Sequence, residues 1–159
     1  MNTSRTKAAV VGIALAGGAA LALFSPASAA LGFLSGGLPT VNLPTTGSGN
    51  FSGTVVGSVL NNGTSYVATG TFANNYNFGT NSGNFAVSNF DSRSFSGRVS
   101  GIPGSTGYSG QVAGSNLAGG VNGAFYGNAA STTGGNFSVA SQGATTSPYS
   151  AIGVFGGSR

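Results

Sequence analysis

Cysteine, histidine and tryptophan are absent from this chain, and charge is scarce: five Lys or Arg and one acidic residue in 159. No disulfide can form, so any fold rests on its core and its backbone hydrogen bonds. A general acid/base pair needs two titratable groups with separated pKa values, and a metal site needs clustered Cys, His or carboxylate ligands. With Asp91 as the only carboxylate side chain, neither can be assembled, so the expectation is a non-enzyme with no cofactor and no metal. A nucleophilic Ser would need a base, and beyond Lys7 there is neither His nor Lys to provide one. The pI of about 10.0 does not point to nucleic acid. Beyond Arg5 and Lys7 the cations are Arg93, Arg98 and Arg159, too scattered to form a basic patch.

Residues 1–29 read as a signal peptide. Arg5 and Lys7 precede an apolar run from Ala8 to Phe24, followed by Ser25-Pro26-Ala27-Ser28-Ala29, whose small residues fit signal-peptidase cleavage. A membrane anchor is the alternative, but the run is short and rich in Ala and Gly. The expectation is an exported protein that begins near Ala30 without a lipid anchor, secreted or at the cell surface, with the periplasm as the alternative. Residues 30–50 form a second segment in which Leu31, Phe33, Leu34, Leu38, Val41 and Leu43 are interspersed with Gly and Pro. Either this is a flexible leader or it covers one end of the domain that follows, since so many apolar groups left in water would promote aggregation.

The remaining chain is rich in Gly, Ser, Thr and Asn, which alone would suggest low complexity. The placement of large apolar residues argues otherwise. In Phe51-Ser52-Gly53-Thr54-Val55, in Tyr66-Val67-Ala68-Thr69-Gly70-Thr71-Phe72 and in Phe95-Ser96-Gly97-Arg98-Val99 they recur with period two. Successive strand side chains point to opposite faces, so this pattern makes one apolar and one polar face. Helix is disfavoured, because the chain after the signal has no Glu or Lys to cover an exposed helical face. Strands are expected over residues 51–60, 64–73, 82–90, 94–100, 107–114, 119–126, 134–141 and 149–155. The turn groups between them include Asn61-Asn62-Gly63 and Ser115-Asn116. Eight short strands with short links imply an all-β fold, a small closed antiparallel up-and-down barrel, and closure removes the edges that this chain has no charge to guard. Large residues alternating with Gly suit a narrow, ring-filled interior.

Several motifs carry less. Asn50-Phe51-Ser52, Asn62-Gly63-Thr64 and Asn136-Phe137-Ser138 match the glycosylation triplet, as chance allows in so Asn- and Ser-rich a chain. Tyr66, Tyr76, Tyr108, Tyr126 and Tyr149 suit strand packing with the hydroxyl at a rim better than ligand binding. Asp91 and Arg93 read as a solvated pair or a turn contact. Asn74, Asn75 and Tyr76 read as an Asn-rich turn with an adjacent aromatic, the candidate contacts for a partner.

The stretch Gly123-Ala124-Phe125-Tyr126-Gly127 is followed, after a turn, by Gly134-Gly135-Asn136-Phe137. The hairpin from Asn84-Phe85 to Phe95-Ser96-Gly97 precedes it, and Gly153-Val154-Phe155-Gly156-Gly157 closes the chain. Together, over residues 51–159, these resemble the barrel domain of the transferrin-binding protein B family. Asn128 stands where that family has Pro, and Ser131 with Thr132 stand where it usually has Glu. The resemblance implies a barrel domain built on Phe95, Gly97, Gly123, Phe125, Tyr126, Gly127, Gly134, Gly135, Phe137 and Phe155, without the handle domain or lipid-anchoring Cys of the larger members. It also implies a binding role at the bacterial surface. The partner is expected to be an unidentified protein or small ligand, not nucleic acid. An outer-membrane barrel wants an apolar outer band, which Ser, Thr and Asn at the alternate positions do not supply, so no stable membrane insertion is expected. The protein is expected to be a monomer, with a self-associating surface or matrix protein as the alternative.

Overall fold

The computed structural model describes residues 38–143 and 148–159. The expected signal peptide lies outside the described residues. Eight antiparallel strands follow one another: β1 (Ser48–Asn61), β2 (Thr64–Asn77), β3 (Ser82–Phe90), β4 (Arg93–Gly101), β5 (Gly107–Gly114), β6 (Leu117–Tyr126), β7 (Thr132–Ser141) and β8 (Tyr149–Ser158). Each pairs with its neighbour in sequence, and β8 pairs back onto β1 from Ser52↔Ser158 to Asn61↔Tyr149, so the barrel is closed. The all-β architecture expected from the period-two pattern is the one observed. β1 begins at Ser48, before the expected boundary at residue 51, and β2 runs on to Asn77 through the residues read as a turn.

At one end of the barrel three of the four links are tight, the fourth being residues 142–148 between β7 and β8. Asn62-Gly63, Asp91-Ser92 and Ser115-Asn116 each have two consecutive positive φ angles, 49° and 81°, 52° and 59°, and 52° and 60°. This is the two-residue type I′ hairpin whose twist matches the flanking strands. We call this the turn end. At the opposite end the links are longer than these hairpins (residues 78–81, 102–106 and 127–131), and residues 38–47 arrive there too; this is the leader end.

The core is built from rings. All nine described phenylalanines and three tyrosines (Tyr76, Tyr108, Tyr149) are buried. They stack in tiers along the barrel axis. Phe125 meets Tyr76, Tyr108, Phe51 and Phe78 with ring centroids 4.8, 5.0, 5.2 and 5.4 Å away. Phe155 meets Phe85 at 4.8 Å and Phe72 at 4.9 Å, and Phe137 meets Phe90 at 5.2 Å and Phe95 at 5.4 Å. Inward glycines make the room. A Cβ at Gly153 would stand 2.7 Å from the Phe137 ring and one at Gly135 2.8 Å from that of Phe155, while one at Gly123 would overlap the Tyr108 ring.

One break in the alternation has a local cause. Val87 and Phe90 both face inward although three apart, because the β3–β4 register shifts between them and Asn89 adopts φ 56°. Such a bulge turns the next side chain to the other face, and here it brings Phe90 into the core.

Candidate functional site

At the leader end, residues 38–47 form a strap from one side of the barrel mouth to the other. Its first part lies against the β6–β7 link: the Thr40 amide donates to the Phe125 carbonyl at 3.3 Å, the Gly127 amide donates to the Leu38 carbonyl at 2.9 Å, and Thr40 Oγ1 donates to the Gly127 carbonyl at 2.9 Å. Its last part lies against the β2–β3 link, where the Phe78 amide donates to the Gly47 carbonyl at 2.9 Å. In a closed eight-stranded barrel those two links stand on opposite sides of the rim. Thr40 is buried and Leu43 packs on the core, yet Leu38 and Val41 are 86% and 90% exposed. Beside them the β4–β5 link holds Ile102, 45% exposed, and its Thr106 carbonyl accepts from the Phe125 amide at 3.0 Å. Phe125 thus receives the strap on its carbonyl and the β4–β5 link on its amide, which brings the apolar tips of both to one rim.

The β6–β7 link in this rim is held from the chain end. Arg159 donates through Nη2 to the Ala129 carbonyl at 2.6 Å and through its amide to the Ser131 carbonyl at 3.2 Å. Ala129 and Ala130 have φ 49° and 60° without being glycine, a conformation that costs about 1–2 kcal/mol per residue.

The turn end holds the single carboxylate. Tyr66 donates to Asp91 Oδ2 at 2.9 Å, Asn61 Nδ2 donates to the Tyr66 hydroxyl at 3.4 Å, and the Arg93 guanidinium lies 4.2 Å over the Tyr149 ring. Asp91, in the β3–β4 turn, and Arg93 are therefore each engaged by a tyrosine in a partly buried cluster, where a solvated pair or a turn contact was expected. Burial first, and then the nearby Asp91 carboxylate, push the Tyr149 phenol up from its ordinary value. Burial also pushes up Tyr76, Tyr108 and Tyr126. These phenols hold their protons more tightly than usual, which is the reverse of what a general base requires.

The expected partner contacts need correction. Asn74 is fully buried and Tyr76 is 1% exposed, both pointing into the barrel from β2; only Asn75 faces outward. The Tyr76 hydroxyl donates to Asn81 Oδ1 at 2.8 Å, in the link that does make the turn. The signature residues take core or close-contact positions: Phe95, Phe125, Phe137 and Phe155 are buried. Gly97, Gly123 and Gly135 admit a neighbouring backbone or ring, Gly127 sits at φ 76°, and Gly134 is buried on β7. Tyr126 is half-buried at the leader end and bridges to Pro39.

A second surface escaped the sequence reading. On the outer face of β2, β1 and β8, Val56 pairs with Val154 and Ser58 pairs with both Val67 and Ile152. Leu60 and Val67 are about half exposed, and Leu60, Ile152, Ala140 and Ala118 line a shallow groove of about 440 Å³. None of the strands on this side carries a charge. The signal was present in Val55-Val56 and in Ile152 and Val154, which interrupt the Ser/Thr alternation.

No family model matches this chain, and no curated protein does. Solved structures do. A variant of transferrin-binding protein B from Haemophilus parasuis Hp5, described as a vaccine antigen, superposes with a TM-score of 0.54 at 18% identity, over 74% of this chain and 28% of that one. A second variant of the same protein gives 0.53 at 22% identity, over 73% and 26%. The isotype 1 transferrin-binding protein B of serogroup B Neisseria meningitidis gives 0.52 at 21%, again over 73% and 26%. The chain spans about a quarter of the length of these proteins. At such identities the likeness concerns architecture, and the architecture of this chain is a barrel like the one within transferrin-binding protein B.

Proposed function

We propose that this chain is an exported, non-enzymatic binding module that meets a protein partner through the rim of its leader end. The observation that carries the reading is the contrast between the two ends. Three of the four links at the turn end are two-residue hairpins, whereas the leader end presents Leu38, Val41 and Ile102 to solvent on the strap and a five-residue link. Exposed apolar side chains gathered on one rim are the kind of surface that a protein contact covers. The ring-filled interior favours capture at the rim over capture inside the barrel. Function does not follow from fold, so transferrin, the ligand named for the structural neighbours, is only the first probe to immobilise. With so few charges, association should change little with ionic strength.

The test compares the wild type with Val41→Ser/Ile102→Ser and with Leu60→Ser, against transferrin and against any partner recovered from the surroundings of the exporting cell. Support is a loss of at least tenfold in affinity for the rim variant alone, with wild-type affinity steady between low and high salt. Binding untouched by the rim variant, a steep salt dependence, or turnover of a substrate would overturn the reading.

The outer face of β2, β1 and β8 favours a second reading, self-association of a surface or matrix protein. Two copies of a neutral face meet without like-charge repulsion. Sedimentation across a hundredfold concentration range separates the readings. A constant monomer supports the first, and a dimer abolished by Leu60→Ser/Ile152→Ser supports the second.

A further inference from the structure

We propose that the barrel interior holds a bound water molecule at Asn74, linking its side-chain amide to the Tyr108–Thr133 hydroxyl pair. Asn74 is fully buried, and neither Oδ1 nor Nδ2 has a protein partner at hydrogen-bonding geometry. Its strand partners are Phe51 on β1 and Phe85 on β3, both core rings that offer no polar atom. An amide buried without partners costs several kcal/mol on transfer scales, so an unassisted Asn at this position would weigh heavily on a small domain.

The hydroxyl hydrogens near Asn74 are all committed elsewhere. Thr133 Oγ1 donates to the Ala124 carbonyl at 2.9 Å, so its hydrogen is committed. The Tyr108 hydroxyl lies 2.7 Å from Thr133 Oγ1, and because Thr133 donates elsewhere, Tyr108 is the donor of this pair. The Tyr76 hydroxyl is spent on Asn81 Oδ1 at 2.8 Å, and that of Thr40 on the Gly127 carbonyl. Four hydroxyl hydrogens of this half of the barrel are therefore assigned, and none points to Asn74 Oδ1. The Asn74 amide nonetheless lies close enough to the Tyr108 phenol to favour its ionised form as a hydrogen-bond donor does, so Oδ1 is the atom left without any protein partner. Rotating the amide toward Tyr108 would give Nδ2 an acceptor, since the phenol oxygen keeps a free lone pair, but Oδ1 would stay orphaned. With the hydroxyl hydrogens committed, water is the group left that can donate to Oδ1. It can donate to Oδ1 and to the free lone pair of the Tyr108 phenol oxygen while accepting from Nδ2, the roughly three contacts typical of a buried water.

The experiment counts long-lived internal waters by oxygen-17 magnetic relaxation dispersion, in the wild type and in Asn74→Leu, which replaces the amide with an apolar group of similar size. The expected result is at least one fewer long-lived water in the variant, with an unchanged far-UV circular dichroism spectrum and no fall in the denaturation midpoint. An equal count in both proteins, or a fall in the midpoint as large as that of a lost core contact, would overturn the assignment. A crystal structure of the wild type provides an arm that needs no variant. A solvent peak within hydrogen-bonding distance of Asn74 Oδ1 supports the proposal, and a protein donor found there instead refutes it.

Discussion

Phe125 is the position at which replacement should cost most. Its ring is fully buried and meets four others at centroid distances of 4.8 to 5.4 Å. Truncating a buried Phe to Ala costs about 3–5 kcal/mol, from lost transfer free energy and from the cavity left behind. Each well-placed ring pair adds about 0.5–1.5 kcal/mol beyond its buried area, which puts this site near the top of that range. A domain of this size holds about 5–15 kcal/mol in total, so Phe125→Ala should remove a large share of the stability. The frame around the site is rigid: the Phe125 amide and carbonyl hold the β4–β5 link and the strap, which limits collapse into the cavity. The assay is urea denaturation followed by far-UV circular dichroism and tyrosine fluorescence, there being no Trp to report. Ser96→Ala, an exposed change on β4, is the reference and should stay within about 0.5 kcal/mol of wild type. Phe125→Leu keeps much of the volume and should recover part of the loss. A cost for Phe125→Ala below about 1 kcal/mol, at an unchanged denaturant slope, would refute the tiered-ring account of the core.

Gly123→Ala would drive a Cβ into the Tyr108 ring and should cost about 1–3 kcal/mol; a melting temperature equal to wild type would contradict the close fit. Thr40→Val removes the bond from Oγ1 to the Gly127 carbonyl and should cost about 1 kcal/mol, with faster amide exchange at Thr40 and little change in exchange on β1. Alkaline pH should destabilise the barrel through Tyr108, whose folded pKa lies above its ordinary 10.0 because the phenol is buried. Below pH 10 both folded and unfolded chains keep that proton; above it the unfolded chain releases it first, so stability falls by up to about 1.4 kcal/mol per pH unit for this group. Tyr108→Phe should show a shallower decline over the same interval, and equal slopes would contradict the assignment.

The strands were legible because the barrel has one apolar face throughout, and a period of two is the direct imprint of a pleated strand with one buried side. Closure was legible more indirectly, from an even number of short strands and a lack of charge with which to defend an edge. The misreading fell on Asn74-Asn75. Adjacent asparagines ordinarily mark a turn, since Asn tolerates positive φ, as Asn62 and Asn116 do here. What decides is pairing at a distance: Asn74 lies between Phe51 and Phe85 in the sheet, and its inward direction follows from a register running down to Asn77. The bulge at Asn89 is the same lesson reversed, an Asn inside a strand whose positive φ brings Phe90 into the core.

The leader end was the least legible part, and the reason lies in what sequence patterns encode. Leu38, Val41 and Leu43 are alike in kind and close in sequence, yet Leu43 packs on the core while the other two face solvent. No periodicity sorts them, because the strap is not a regular element; its course follows single hydrogen bonds to Phe125, Gly127 and Phe78, residues dozens of positions away. Those acceptors and donors are available because the β5–β6 pairing stops at Ala124, β6 ends at Tyr126 and β2 ends at Asn77, leaving backbone groups of the rim without strand partners. A buried backbone group must find a partner, and the strap is what meets that demand on both sides of the mouth. Covering the mouth and exposing Leu38 and Val41 are then two results of one constraint. The strap must carry its polar backbone and Thr40 down onto the rim, which turns part of its apolar face outward.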